Sequence, residues 1–545
     1  MTRQPLESIA PSFSRRNDTL RLLYPARVVV LGLGVAQVVA TVLVYLSNRA
    51  LAAKIAAIRA AGYGPLPGVD ISPSLKSVEA AFAGGAFFTL STGAGLVVPA
   101  FVAVILILPL PRLYRVIRSR LFKPGFRFLG LAVLAAAGTA AVIPVVGWLV
   151  LLIRANARGF CPGLTAFLLL VPPPVIWAAV KWSPQRAGYK RLPWRSPFHF
   201  VLIAILLGLW ASHVDRDVFI NFKDNLLLTS RPGSAIVDFY YRYTLYPAEV
   251  FKPLSGQQLK TCVVAGNPDP VTTGRLEKTL RKHDYFIIPG GGSRVDLKLV
   301  YQGDRLILGQ NKKALMIVDR DRFLSATGEI LEQFSTEADH NAVFRRFTLI
   351  SLLGMAPLIL YLAGYALFCL LPGSLMNIRA ASFLVPVLCF VFWTGVMTVM
   401  DIPKVTELTR DRAAAAIREG TRKERLAALR YIHKKRLDIT AFQGYRDLVS
   451  APDLAQRYWL INSLGTSPNP LATDIIYPFL ESKSAYIVCK AIAAAADQVR
   501  TGDALSRQRY LNLILEKMQS ADNWYVQFYA YKAAGRMGWV PEKSG

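Results

Sequence analysis

Acids and cysteines are scarce in this chain. Across its 545 residues 35 Asp and Glu face 64 Lys and Arg, a formal net charge of +29. Such an excess marks either a nucleic-acid binder or a membrane protein whose loops lie against anionic lipid. The distribution favours lipid. Arg112, Arg115, Arg118, Arg120, Lys123 and Arg127 crowd one short loop, and Lys181, Arg186, Lys190, Arg191 and Arg195 crowd another, neither with an acid. The five cysteines (Cys161, Cys262, Cys369, Cys389, Cys489) include no close pair, which excludes a disulfide framework, a zinc knuckle and a haem-attachment motif. Histidine is equally sparse. His199 and His213 stand 14 residues apart on one apolar stretch, a spacing that suits two haems, but neither has a partner on another stretch, so both read as interfacial caps.

Long uncharged runs are abundant instead. Phe347 to Leu371 and Ala381 to Met400 have Arg379 as the only full charge between them, and each is long enough to cross the roughly 30 Å apolar core of a bilayer as a helix. Similar runs upstream bring the expected number of spans to about seven: Ala26 to Leu46, a second within Ala80 to Leu110, Phe128 to Ile153, Leu164 to Val180, Phe200 to Val214, and the two above. The second is too long for one straight crossing, and Gly84, Gly85, Gly93 and Gly95 predict a kink, a tilt or a re-entrant start. The fourth should break or bend at Pro172, Pro173 and Pro174. The N-terminus reads as an uncleaved signal anchor. Arg15, Arg16, Arg21 and both basic loops fall on one side, which the positive-inside rule makes cytoplasmic. Parity then places 215–346 and the region after 401 outside, in the periplasm of a bacterial inner membrane.

The expected domain map is a cytoplasmic segment at 1–25, five membrane helices in 26–214, an extracytoplasmic α/β domain at 215–346, two more membrane helices in 347–401 and a helical-repeat domain at 402–545. Within the α/β domain, strands are predicted at Lys260 to Ala265, Tyr285 to Pro289, Val295 to Tyr301, Arg305 to Gly309 and Ala314 to Asp319. Helices are predicted at Thr272 to Lys282 and Arg320 to Phe334. Gly290 to Gly292 lacks the Lys-Ser/Thr of a phosphate loop and reads as a hairpin or loop. From Val405 the pattern is helical throughout. The segments Leu454 to Leu464, Tyr486 to Ala496 and Trp524 to Gly535 each carry bulky residues early, small or apolar residues at helical spacing, and a polar or Gly end. With Arg457 and Gly465 in the first of them, this last quarter of the chain resembles a HEAT-type α-solenoid. That resemblance implies stacked helix pairs that present an extended surface to protein partners. The fold class expected is therefore mainly α: a polytopic α-helical membrane protein with an inserted α/β domain and a C-terminal HEAT-like solenoid.

Candidate sites are few. The spans carry almost no ionisable group, which argues against ion-coupled transport and proton pumping. Thr89, Ser91 and Thr92 in the second span are candidates for a membrane pathway through broken helices. Between Asp215 and Lys252, polar residues meet a dense run of tyrosines. A headgroup-level interfacial helix accounts for the run, and a docking or ligand surface built on Arg216, Asp224, Arg242 and Tyr243 is the sharper reading. The basic run Arg422, Lys423, Arg425, Arg430, Lys434, Lys435 and Arg436 reads as a solvated face or a headgroup contact. No cofactor or metal site is expected, enzymatic activity is not favoured, and nucleic acid is excluded as a partner if the repeats lie outside the cytoplasm. The function expected is an integral membrane scaffold or assembly protein whose partners are the bilayer and other envelope proteins. The alternative is a transporter or lipid-handling enzyme working through spans two and four.

Overall fold

The computed structural model describes residues 23–68, 72–107, 146–157, 160–183, 197–215, 217–266, 269–289, 295–310, 313–370, 378–400, 408–499 and 504–543. It is mainly helical, with one five-stranded sheet and one two-stranded ribbon. Among the described residues three helices are long and apolar enough to cross a membrane: Tyr24–Ala60, Val78–Ile105 and Pro162–Lys181. A fourth arises if Ala342–Met355 and Pro357–Phe368, bent by 44° at a proline, form one span. Val146–Asn156, Val201–His213 and Phe383–Thr398 are shorter apolar helices. Most of the expected third span, the N-terminal arginines, most of both basic loops and Gly290 to Gly292 lie outside the described residues.

The chain forms two compact units. The first comprises Met1–Leu43, Gly85–Val218 and His340–Val399. Small residues set its helix spacing. A Cβ at Gly32 would strike Val97 and Val175, and one at Gly93 would lie 2.6 Å from the Ala36 methyl. The glycines of the second span thus admit neighbouring backbones, and its irregularity is one π-helical turn, Thr89–Gly93, in an otherwise continuous helix. The proline run opens the helix Pro172–Lys181, while Val171 before it keeps helical dihedrals (φ −85°, ψ −48°). The Val171 N–H still donates to the Phe167 carbonyl at 3.1 Å, so the two pieces continue as one span. Aromatic packing fills the gaps. Phe88 stacks on Phe344 with ring centroids 5.8 Å apart, and Trp210 donates to the Leu353 carbonyl at 2.8 Å. Val30, Ile153 and Ile350 remain 67 %, 69 % and 68 % exposed. Such outward apolar side chains suit lipid as solvent.

The second unit comprises Val44–Gly84, Phe219–Asp339 and Met400–Gly545. Its larger sheet holds β2 (Lys260–Ala265), β3 (Tyr285–Ile287), β4 (Leu297–Gln302), β5 (Arg305–Gln310) and β6 (Lys313–Asp319) in the order β3-β2-β4-β5-β6. β2 pairs parallel with β3 and β4, and β4, β5 and β6 form an antiparallel meander. Alternation sends Leu297, Leu299, Leu306, Leu308 and Val318 to one face, where they bury with Leu276, Leu280, Phe323 and Phe334 of the flanking helices. At the β2–β3 end Phe286 faces the other way and meets the Tyr63 ring at 5.1 Å, in a core shared with Leu51, Ile55 and Ile58.

The helices Arg422–Lys435, Leu454–Thr466, Ala485–Val499 and Trp524–Arg536 pack side by side in chain order. Each also packs on a helix that precedes it, such as Arg410–Glu419 before the first and Ala504–Ser520 before the last. Close approach is again built on glycine: a Cβ at Gly465 would lie 2.8 Å from Ala494 Cα, and the helix continues past it to Thr466. The chain's last strand, β7 (Glu542–Lys543), pairs antiparallel with β1 (Tyr63–Gly64). Beside that ribbon the Gly68 N–H donates to the buried Gln527 carbonyl oxygen, Tyr63 donates to Glu277 at 2.8 Å, and Tyr531 donates to Asp284 at 3.0 Å. The C-terminal helices and the sheet are thereby joined within the second unit.

Candidate functional site

The segment after Phe219 lies along the helices Arg422–Lys435, Leu454–Thr466, Ala485–Val499 and Trp524–Arg536. A π-helical turn, Lys223–Leu227, aims three successive polar side chains at them. Asp224, fully buried, accepts from Arg430 Nη2 at 2.6 Å and from Trp459 Nε1 at 2.7 Å, and Arg430 also donates to Asn221 at 2.7 Å. Arg422 donates to the Asp224 carbonyl at 2.6 Å and to Asp453 at 2.5 Å. A buried carboxylate is tolerated because its charge is matched: Oδ2 takes the two strong donors, and the Lys223 ammonium stands 3.6 Å from Oδ1. Gly233 is required next to this turn, since a Cβ there would collide with the Leu227 carbonyl. Ser230 caps the helix Arg231–Tyr243, accepting from the Gly233 N–H at 3.2 Å.

Beyond the turn the contact becomes aromatic. Tyr458 stacks on Tyr486 with centroids 4.5 Å apart and planes at 3°. Tyr241 stacks between Tyr486 at 5.5 Å and Tyr525 at 4.5 Å, and Tyr525 meets Tyr529 at 4.6 Å. Burial raises the phenol pKa of Tyr241, Tyr458, Tyr486, Tyr525 and Tyr529 above the ordinary value, so this ladder stays neutral well into the alkaline range. Two ammonium groups sit against it. Lys223 lies 4.6 Å and 4.8 Å from the Tyr458 and Tyr486 ring centres, donates to the Tyr486 hydroxyl at 2.5 Å and stands 3.6 Å from Asp224. Lys490 lies 4.9 Å from the Tyr458 centre and 5.9 Å from that of Tyr529. Burial, reinforced by the charge of Lys223, lowers the Lys490 ammonium to about 8.

Lys490 opens into a cleft of about 650 Å³ bounded by Tyr240, Tyr241, Trp524, Tyr525, Phe528 and Tyr529, within the size range of ligand sites. Lys252, Lys532 and Arg536 stand around it with the carboxylates Glu249 and Asp497. Glu249 is taken by Lys252 at 2.5 Å and Asp497 by Arg536 at 2.8 Å. Among the described residues no carboxylate forms an ion pair with Lys490. A larger hollow, about 1100 Å³, is lined mostly by the turn at 465–474 with Tyr477, Arg509 and Tyr510.

Of the four residues singled out for a docking surface, Arg216 lies outside the described residues. Asp224 is buried in the latch to Arg430. Arg242 is exposed and faces Asp522 at 3.7 Å, and the Tyr243 ring packs on Phe239 at 5.1 Å. Thr89, Ser91 and Thr92 fall together in the buried π-helical turn of the second span. Thr89 donates to Gln37 at 2.8 Å and to the Gly85 carbonyl, Ser91 to the Phe87 carbonyl at 2.6 Å, and Thr92 shares a 2.8 Å contact with Thr348. Arg422 and Arg430 leave the expected solvated face and turn inward. Sequence reasoning missed Lys490 and the ladder. The signal was there in the bulky residues opening each repeat segment, Tyr458-Trp459, Tyr486 and Trp524-Tyr525, which read as packing because nothing placed the Tyr241 segment against them. Family models, curated proteins and solved structures were compared with the chain, and none matches.

Proposed function

We propose that the protein is an integral membrane scaffold. About seven helices anchor it, and an α/β domain with a HEAT-like solenoid is held out to protein partners on the periplasmic face of an inner membrane. The three long apolar helices and the outward apolar surface of the first unit support the anchor. The side-by-side order of the C-terminal helices supports the repeat reading. One observation carries the binding role. The inner helices of the repeats keep an open cleft floored by a lysine and walled by aromatic rings, the side chains that dominate protein recognition. The orientation rests on the two acid-free basic loops.

The test is affinity purification of the tagged full-length chain in mild detergent, beside an Ala493→Trp variant that fills the cleft. A protein recovered in constant proportion with the wild type and lost with the variant is the expected result. Recovery of the chain alone in both preparations would remove the scaffold reading. A pathway for solute or lipid along spans two and four is the second reading, and the buried hydroxyls of the Thr89–Gly93 turn are what favour it. Transport or lipid turnover that Thr92→Val abolishes, with partner recovery intact, would put that reading first.

A further inference from the structure

We propose that the Lys490 cleft binds an acidic, extended segment of a partner protein, one carboxylate of which pairs with Lys490 while an adjacent aromatic or aliphatic side chain lies on the tyrosine ladder. The inference rests on the partner-binding reading and names the chemistry of what binds.

Three observations on the page lead there. First, Lys490 lines the cleft against the Tyr458 and Tyr529 rings with no ion-pair partner among the described residues, while the other charges at the rim are paired or solvated: Lys252 with Glu249, Arg536 with Asp497, and Lys532 exposed. Four cations against two carboxylates leave the cleft positive. Second, Lys223 and Lys490 approach the same Tyr458 ring, at 4.6 Å and 4.9 Å, and Lys223 already has Asp224 and the Tyr486 hydroxyl. The repulsion between them falls when an anion reaches Lys490, and the ring faces alone offset only part of the desolvation. Third, the walls are neutral phenols and an indole. These suit an apolar side chain beside a single negative charge better than a phosphate, which wants several convergent donors. A cleft of about 650 Å³ open to solvent accommodates a few residues of extended chain.

The experiment uses the full-length protein in neutral phosphatidylcholine nanodiscs and a fluorescein-labelled random copolymer of glutamate and tyrosine as probe, read by anisotropy. Lys490→Gln should weaken binding about tenfold or more, and Lys490→Arg should stay within about threefold of wild type. Nonspecific attraction between a polyanion and so basic a chain is insensitive to one lysine, so equal binding by Lys490→Gln overturns the proposal. Thermal unfolding checks that each variant is folded. If Lys490→Gln unfolds, Tyr529→Ala replaces it, with the same weakening expected and unchanged binding again overturning the idea. Displacement by inorganic phosphate, or by phosphatidylglycerol vesicles, at a lower charge concentration than polyglutamate needs would assign the site to phosphate or lipid and overturn the peptide occupant. Partner recovery lost with Ala493→Trp but copolymer binding untouched by Lys490→Gln would leave the scaffold reading standing and sink only this inference.

Discussion

The π-helical turn at Thr89–Gly93 interrupts an apolar helix of the first unit, and the one at Lys223–Leu227 interrupts a charged segment of the second. Both swell the backbone by one residue and loosen its own hydrogen bonding. In the apolar unit the neighbouring hydroxyls repair this locally, two of them donating to carbonyls four residues back and the third touching Thr348. In the second unit the swelling turns Asp224 out of its own helix to meet Arg430 and Trp459, more than 200 positions along the chain. Both distortions also reach distant elements, the first through neutral hydroxyl contacts to Gln37 and Thr348 and the second through a buried charge pair. What differs is the availability of a buried cation to receive the side chain.

The largest effect expected follows from that difference. Asp224→Ala strands Arg430 without its counter-charge and should cost ~3–5 kcal/mol, read as thermal or denaturant unfolding of the detergent-solubilised chain. The pair Asp224→Leu with Arg430→Met removes both charges and should recover most of that loss. Ser91→Ala deletes one local hydroxyl bond and should cost about 1 kcal/mol or less. Equal losses from Asp224→Ala and Ser91→Ala would break the comparison.

A second expectation concerns close approach in the first unit. Gly93 faces the Ala36 methyl, so Gly93→Leu forces the helices apart and should destabilise by ~1–3 kcal/mol. Its measure is the fraction of folded protein surviving a temperature ramp in detergent. Gly274→Ala makes the useful control, since a Cβ there meets nothing within 4 Å. Ala favours a helix over Gly, so Gly274→Ala should be neutral or slightly stabilising, and a loss as large there would mean that contact with a neighbour does not set the cost.

The elements of the α/β domain were readable because alternation and turn residues are local signals. Lys260 to Ala265 has the predicted bounds, and the next three strands fall within two residues of expectation. The long apolar helices were readable by length. The Arg320 to Phe334 helix divides at Ala326, whose dihedrals (φ −125°, ψ 34°) leave the helical region; Gly328, at the start of the second helix, is the one local signal of that break. The glycines of the second span were read as a kink, a tilt or a re-entrant start; the helix Val78–Ile105 runs through them, and sequence cannot distinguish a glycine that bends from one that admits a neighbour such as Ala36. The latch and the cleft were illegible for a different reason. Arg430 and Asp224, Tyr241 and Tyr525, are joined only by tertiary pairing, and each side looks like ordinary surface until the other is beside it.

A third expectation separates the two lysines on Tyr458. Burial above all, with the charges of Lys223 and Arg536, holds the Lys490 ammonium at about 8 against the pull of Asp497, beside neutral Tyr458 and Tyr529. An anion binds the protonated amine, so copolymer affinity should be greatest below pH 8 and fall by up to about tenfold per pH unit above it. Lys490→Arg keeps its charge throughout, and its affinity should be flat between pH 7 and 9. Parallel profiles for wild type and Lys490→Arg would place the titrating group elsewhere.

The smallest effects test the junction between the sheet and the last helix, where two contacts near each other differ in burial. Gln527 is fully buried and spends both ends of its amide, accepting from the Gly68 N–H and donating to the Ala521 carbonyl at 2.7 Å. Gln527→Ala orphans a buried N–H and a carbonyl and should cost ~1–2 kcal/mol. Removing residues 542–545 deletes, among the described residues, the β1–β7 pairing, the solvent-facing Lys543–Glu277 pair at 3.8 Å and the Lys543 ammonium 5.6 Å from the Tyr63 ring, and should cost less than about 1 kcal/mol. Hydrogen exchange at the Gly68 amide reads both variants. It should accelerate strongly in Gln527→Ala and little in the truncation, because burial of the amide, and not the ribbon beside it, keeps water from that bond. The reverse order would make the ribbon the principal closure between the last helix and the sheet.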